Sequence, residues 1–457
     1  MIKIKQGLDL PISGEVKDTT LIVESFPREI AVLGRDFVGM KPTMLVGVGD
    51  SVKSGQHLFQ DKKNPDVFFS SPVSGKVKEI NRGERRAFRS IVIELNAKSF
   101  LDLEGDSTVS FKNYKNSTEG LSSEDVKNLL IESGLWSFIR KRPYSKVANP
   151  NEAPNALFIN AMDTHPLSLD PTQVIEKDME NFKVGAKALS ALVGETNKYL
   201  CHHENLNFDG NSFEGFQTQA FKGPHPAGLS GTHIHKLNRV GFKKHAWYVD
   251  YSGVIEIGHL FSTGKINPVQ FISVAGPMCR RPSVYKTLRG ANLYDLTNDL
   301  KFSSESTRVI SGSVFGGRAI ADGEQFLGQF HHQVTMMRES EEREFLGWHS
   351  PGINKFSVKP IYLSKLIPKK KFWFDTNTNG SHRSIVPIGS FEKVFPIDTE
   401  PTYLCRSIMS GNADLGYQLG ALELDEEDVC LLSYVDPCKN DYAANLRELL
   451  IKIEKEN

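Results

Sequence analysis

Residues 156–201 read ALFINAMDTHPLSLDPTQVIEKDMENFKVGAKALSALVGETNKYLC. The stretch opens on a short apolar run, Ala156–Ile159, of strand length. Asp170 then offers a carboxylate that can cap free amides. Pro171 follows, where a missing N–H costs nothing in a first helical turn. Val174, Ile175, Phe182, Leu189, Leu192 and Val193 recur near the helical period, so one long helix is expected up to Gly194. Lys198–Cys201 returns as a strand. Strand, helix, strand in that order predicts an α/β domain with parallel pairing.

Upstream, Ser122 and Asp125 have the spacing of a capping box. Val126, Leu129 and Leu130 share a face, and Gly134 can close the helix. Residues 30–95 read as β, with strands at Val67–Phe69, Lys76–Ile80 and Arg89–Leu95 between Gly, Pro, Ser and Asp. GVGDSVKSGQHLF (47–59) and SSPVSGKVKEI (70–80) each place a turn glycine before an alternating strand, a pattern like the half-barrel repeats of biotinyl and lipoyl carrier domains. Lys62 and Lys63 fall between the two signatures, but the intervening stretch is short for a modified hairpin, which favours the barrel without the modification. Residues 96–120 are polar and read as a connector. Downstream, residues 268–300 give strand, turn, strand, glycine turn and short helix, the order of a β-grasp module. Residues 308–360 read as irregular and glycine-rich. From Thr399, a candidate cap ahead of Pro401, the chain reads as helical, and Leu446, Leu449, Leu450 and Ile453 make one face of a final helix.

A chain of 457 residues is long enough for about three domains. Lys+Arg and Asp+Glu both number 55, so the formal charge is zero and no overall electrostatic footprint for nucleic acid exists. No apolar run reaches the ~18–20 residues of a membrane span, and MIKIKQGLDL lacks the apolar core of a signal peptide. Five scattered cysteines without a C-x-x-C pair read as reduced thiols and argue against an iron–sulfur cluster. Phe is abundant, at 28 residues against 12 Tyr, which favours aromatic cores or contact surfaces.

The short catalytic motifs are missing. There is no phosphate loop, no G-x-G-x-x-G and no H-E-x-x-H. Asp375, Asn377, Asn379 and Gly380 match half of a calcium loop, but Val386 stands where a bidentate Glu belongs, so an Asn/Gly turn is expected. His233 and His235 alternate on an expected strand; two imidazoles on one face need a third ligand to hold a metal, and a hydrogen-bonded role near Gly228 and Gly231 is expected instead. The acidic run Glu423–Asp428 reads as a solvated face or a helix start. No catalytic or metal-binding residue is assigned.

Longer blocks carry more information. IKIKQGLDLPISG at the N-terminus, GPHPAGLSGTHIH (223–235), IGHLFSTGKI (257–266), VISGSVFGGR (309–318) and the tail 385–440 resemble the A-subunit family of the bacterial sodium-translocating NADH:quinone oxidoreductase along essentially the whole chain. The resemblance implies a mixed α/β, α+β multidomain fold. Its parts are a barrel-sandwich hybrid at 1–100, a Rossmann-like α/β domain at 101–256 related to the flavin subunit of complex I, a β-grasp (SLBB-like) domain at 257–370 and a mostly helical domain at 371–457. In those relatives a glycine-rich loop cradles FMN and NADH phosphate. Here the place reads Ser133-Gly134-Leu135-Trp136-Ser137-Phe138-Ile139-Arg140-Lys141-Arg142-Pro143, with bulky residues where glycines would be needed, and Met162 stands where the relatives tend to be acidic.

The resemblance therefore implies a cofactor-free subunit, peripheral on the cytoplasmic side of the inner membrane. FMN, FAD, riboflavin, the 2Fe-2S cluster, NADH and ubiquinone are expected on the other five subunits, and docking is expected chiefly on the large membrane B-subunit. An alternative is direct quinone binding, with Trp136, Phe138, Arg140 and Arg142 as an aromatic slot beside a cation. A free-standing NADH:flavin oxidoreductase and a carrier modified at Lys62 or Lys63 are the other readings.

Overall fold

The computed structural model describes residues 1–95, 107–206, 208, 213, 215–302, 306–342, 344 and 347–456, so residues 96–106 of the expected connector lie outside the described residues. Two short strands, β1 (Ile2–Lys3) and β2 (Ile22–Glu24), leave the N-terminal unit and join sheets built much later in the chain. Next come β3 (Glu29–Leu33), β4 (Pro42–Met44), β5 (Ser51–Val52), β6 (His57–Asp61), β7 (Asn64–Ser70), β8 (Gly75–Arg82) and β9 (Phe88–Leu95). They form two sheets, β3-β9-β8-β5 and β4-β6-β7. Alternation sends Ile30, Leu58, Phe59, Val67, Phe69, Val77, Ile91 and Ile93 into one shared core. The two repeats pair with each other, Ser51 opposite Lys76 and Val52 opposite Gly75. This is the expected barrel-sandwich unit. Lys62 and Lys63 are the exposed tip of the β6–β7 hairpin.

Helix α1 (Ser123–Ser133) has the expected capping box, with Ser122 and Asp125 exchanging hydrogen bonds at 3.1 and 3.2 Å, and ends at Gly134 with φ +77°. Beyond it lie β10 (Arg140–Arg142), β11 (Lys146–Val147), β12 (Ala156–Ala161), α2 (Pro171–Lys177), α3 (Met179–Val193), β13 (Asn197–His203), β14 (Gln217–Lys222), α4 (Ser230–Leu237), β15 (Ala246–Asp250) and α5 (Tyr251–Thr263). The sheet runs β1-β14-β13-β12-β15-β10-β11, and β12 pairs in parallel with both β13 and β15, in keeping with the strand–helix–strand pattern. The single long helix expected from Asp170 to Gly194 is two helices. Asp178, at φ −132° and ψ 41°, breaks it, and its carboxylate accepts from the Asn181 side chain at 2.8 Å. Apolar spacing carries across a one-residue break, so the periodicity alone does not register it.

The third sheet holds β16 (Val269–Ala275), β17 (Ser283–Leu288), β18 (Thr307–Ser311), β19 (Arg318–Ala319) and β20 (Gln333–Arg338), in the order β19-β18-β20-β16-β17-β2, with α6 (Leu293–Thr297) following β17. The β16–β17 hairpin and the parallel β16–β20 pair around α6 give the β-grasp module. The stretch from 308 is thus not wholly irregular. Gly312, Gly316 and Gly317 lie in the β18–β19 loop, and β-branched and Met residues build β18 and β20. The C-terminal unit is helical: α7 (Phe391–Val394), α8 (Pro401–Ser410), α9 (Ala413–Gln418), α10 (Glu426–Val435) and α11 (Tyr442–Glu456) enclose Leu404, Ile408, Leu432, Leu446 and Leu450. Thr399 does not cap α8. Glu400 takes that position, and the Thr399 hydroxyl donates to the Leu419 carbonyl at 2.6 Å.

The α/β unit depends on a backbone-to-backbone approach of α3 and α5. A Cβ at Gly258 would overlap the Asn181 carbonyl oxygen, and one at Gly185 the Val254 carbonyl oxygen. Gly258→Ala is therefore expected to lower stability by about 1–3 kcal/mol through forced helix separation. Urea unfolding reads this directly, and an unchanged midpoint would contradict the close helix contact.

Candidate functional site

Counted from β12, the parallel strands run 3-2-1-4, so the chain reverses direction between β12 and β15. In open α/β sheets that reversal opens a crevice at the carboxyl ends of the strands. Here it holds a cavity of about 780 Å³. Asn160, Met162 and Asp163 come from the end of β12, and Asp250 and Tyr251 from the β15–α5 junction. The β-grasp unit contributes the Gly312–Arg318 loop and Phe330–Gln333, and the start of α10 closes the far side. Asp250 is held by its own role as the α5 cap, accepting from the Gly253 amide at 2.8 Å.

Arg140 is one of the cations that line this cavity. Its guanidinium lies 4.6 Å from the Tyr248 ring centre and 4.0 Å from that of Phe330, and its buried Nε has no hydrogen-bond partner among the described residues. Burial disfavours its charge, but Tyr248, Glu427, Asp250 and Asp425 outweigh that and raise its pKa. Burial likewise works against the Asp250 carboxylate, yet His332, at 3.5 Å, and Arg140 bring its pKa down to about 2. Asp163 and His165 make a second pair at 2.7 Å. The His165 ring lies 4.8 Å from that of His225, which stacks on Phe315 at 4.9 Å. Burial, then the neighbouring His165, push His225 well below the ordinary histidine range.

Behind the cavity, Arg142 is fully buried and reaches across to α10. It contacts Asp428 at 2.7 Å, Glu427 at 3.1 Å and Asp425 at 3.6 Å. Arg447 adds Asp425 at 2.8 Å and also pairs with Glu426. Four carboxylates thus face two guanidiniums. Burial and mutual repulsion raise the pKa values of Glu426, Glu427 and Asp428, whereas at Asp425 the two arginines overcome burial and lower it. The acidic run is therefore a helix start, as expected, but not a solvated face. A capping box joins Asp425 to Asp428, and the carboxylates turn inward to arginine.

The four residues expected to form a quinone slot do not line one space. Trp136 is buried, and its Nε1 donates to the Ala148 carbonyl at 2.7 Å. Phe138 is buried beneath Arg289, 4.6 Å from its ring centre, and Arg289 pairs with Glu256. Arg142 is consumed by α10. Of the four, Arg140 alone lines the large cavity. The two histidines expected to alternate on a strand lie instead on α4. His233 bonds the Ala227 carbonyl at 2.9 Å, and burial drives its pKa down to about 3. His235 accepts from the Asp398 amide, which leaves Nδ1 as donor to Glu423 at 2.7 Å. Asp375, Asn377 and Asn379 form successive Asx turns, Asp375 accepting from the Asn377 amide and Asn377 from the Asn379 amide. Sequence patterns do not single out Asp163, Asp250, His331 or His332. The available signals are the GSVFGG block, the His pair after it and an Asp ending a strand just before a helix.

The comparisons with known proteins follow this architecture. Residues 2–96 match the family described as the NqrA N-terminal barrel-sandwich hybrid domain, 121–266 the NqrA second alpha/beta domain and 271–322 the NQRA C-terminal domain. The chain is 45% identical over 458 residues to the A-subunit of the Na(+)-translocating NADH-quinone reductase of Hahella chejuensis, covering 100% of both chains. Its identity to the protein of the same name in Cellvibrio japonicus is 45% over 459 residues, again with 100% of both covered. A chain of a crystal structure of an NAD+-reducing [NiFe]-hydrogenase overlaps 51% of this chain and 49% of its own, with 13% identity and a TM-score of 0.36. The architecture is thus that of a multidomain α/β protein with a helical tail. The chain belongs to the A-subunit family of the Na(+)-translocating NADH-quinone reductases.

Two outcomes follow from the charges. Arg142→Ala strands several buried carboxylates and should cost about 3–5 kcal/mol in chemical denaturation. For His165, burial lowers the pKa but the Asp163 carboxylate raises it further, so the net shift is upward. Its contribution is complete below the unfolded pKa of about 6.5 and is lost as pH rises through the higher folded value. Stability measured against pH should decline over that window in the wild type and be flatter in His165→Gln.

Proposed function

We propose that this chain is a peripheral, cofactor-free component of the sodium-translocating NADH:quinone oxidoreductase complex, docked on the cytoplasmic side of the membrane against the large membrane subunit. The observation that carries the reading is the state of the loop after α1. A phosphate cradle needs backbone amides that point at the ligand. Here the Leu135 amide donates to Ser133 Oγ, that of Ser137 to Gly134 O and that of Ile139 to Trp136 O. Leu135, Trp136, Ser137 and Phe138 are all buried, and a Cβ at Gly134 would overlap the Ser70 side chain of the barrel. These residues do not fit a nucleotide phosphate. Among the described residues no helix is long and apolar enough to cross a membrane, which accords with peripheral attachment.

The purified chain should show no flavin absorption band, and its denatured supernatant should contain no flavin or nicotinamide. Tightly held cofactor would overturn the reading. In the intact complex, cross-linking mass spectrometry should join this chain chiefly to the large membrane subunit.

A second reading, direct quinone binding, is favoured by one observation. Arg140, flanked by Tyr248 and Phe330, lines a cavity large enough for a ring system. It expects saturable quenching of the chain's fluorescence by added quinone, weakened about tenfold or more in Arg140→Met through loss of a buried charge-assisted contact. Absence of saturation would end it.

A further inference from the structure

Between Glu344 and Asp375 the sequence carries Lys355, Lys359, Lys365, Lys369, Lys370 and Lys371 and no acidic residue, in a chain of zero formal charge. The same segment exposes large apolar side chains: Leu366 is 79% exposed, Ile361 69%, Trp373 64% and Leu363 51%. Its inner side is fixed to the body. The rings of Phe356, Phe372 and Phe374 pack together at 5.5–6.4 Å, the Phe372 amide donates to the Pro11 carbonyl at 2.8 Å, and the Ser13 amide donates to the Phe372 carbonyl at 2.9 Å. In extended backbone alternate residues face opposite ways, so Phe372 and Phe374 turn inward and Trp373 outward. The loop is also tied to itself: the Leu363 amide donates to the Pro351 carbonyl at 3.0 Å, and Lys370 Nζ reaches Asn354 at 2.8 Å. Lys355 and Lys371 pair with Glu344 and Glu15. The ammonium groups of Lys359, Lys365 and Lys369 are exposed and meet no carboxylate among the described residues.

We propose that residues 351–373 form a docking loop for an anionic phospholipid surface. A Trp and aliphatic side chains at exposed positions suit the boundary between headgroups and acyl chains, while lysines extend to lipid phosphates and lengthen their reach by snorkelling. A protein partner fits less well, because lysine is depleted from the centres of protein interfaces, whereas here it alternates with the exposed apolar residues. The loop thus adds a second attachment, to lipid, beside the subunit contacts proposed above. It rests on that reading only in requiring a bilayer within reach.

The test uses the full chain without other subunits, so its failure leaves subunit docking untouched. The purified protein is floated with vesicles of phosphatidylethanolamine and phosphatidylglycerol, and separately with phosphatidylcholine vesicles. It should co-float with the anionic vesicles and not the neutral ones, with binding that weakens as salt rises. The combined variant Lys359→Glu, Lys365→Glu, Lys369→Glu should bind roughly 100-fold more weakly or worse. Trp373→Ser with Leu366→Ser should also weaken binding at unchanged charge. Unaltered thermal unfolding midpoints show that the variants fold. Failure of the wild type to float with anionic vesicles would overturn the proposal, as would undiminished binding by the charge-reversed chain.

Discussion

Arg142 holds two units of this molecule together, and much of the cavity's shape follows from it. The residue sits on β10, near an edge of the α/β sheet, and ends among the carboxylates at the start of α10. Taking such charges out of water costs several kcal/mol per ion unless each finds a close partner. The arrangement is therefore all or nothing: the helical unit must present Asp425, Glu427 and Asp428 together, in one orientation. Gly231 of α4 fits against this contact, since a side chain there would overlap the Asp428 carboxylate. With α10 fixed, the cavity has its far wall, and Arg140, two residues before Arg142, lines it.

The sheet reversal and the closed loop pull the functional reading in different directions. The crevice at the carboxyl ends of β12 and β15 is present, roomy and lined by charged pairs. The loop after α1 turns the Leu135, Ser137 and Ile139 amides onto its own atoms and buries its side chains. The crevice and the loop are thus separate features, one an open cavity and the other a closed, self-bonded turn. The crevice's lining includes one stacked guanidinium, two carboxylate–imidazole pairs, the Arg318–Asp36 ion pair and a glycine-rich loop from a neighbouring unit.

Local rules make most of the architecture legible. The Ser122 box, Gly134, the Asp170-Pro171 start and the α11 stripe are each set by a few adjacent residues, and all appear where the pattern puts them. Residues whose roles are set by distant partners are harder to read. Nothing near Arg142 in sequence reveals that its carboxylates lie on α10. His233 and His235 alternate as they would on a strand, yet they belong to one turn of helix, because the burial pattern of α4 is decided by what packs on it. Thr399 precedes Pro401 as a cap would, but its hydroxyl is drawn to the Leu419 carbonyl. Trp136, Phe138, Arg140 and Arg142 suggest a slot because they are neighbours in sequence; in space Arg140 alone lines the large cavity, sharing the Phe330 ring with Phe138 and the Tyr248 ring with Arg142.

The first strands carry a consequence of their own. β1 pairs with β14, and β2 with β17, so the beginning of the chain completes sheets whose other members are translated far later. During synthesis the N-terminal segment emerges first and has no sheet to join. The barrel between β3 and β9 can close by itself, whereas the residues before it must wait, unpaired, until their partners leave the ribosome. Shortening the N-terminus, or fusing a bulky partner to it, therefore acts on the edges of two sheets at once rather than on a dispensable tail.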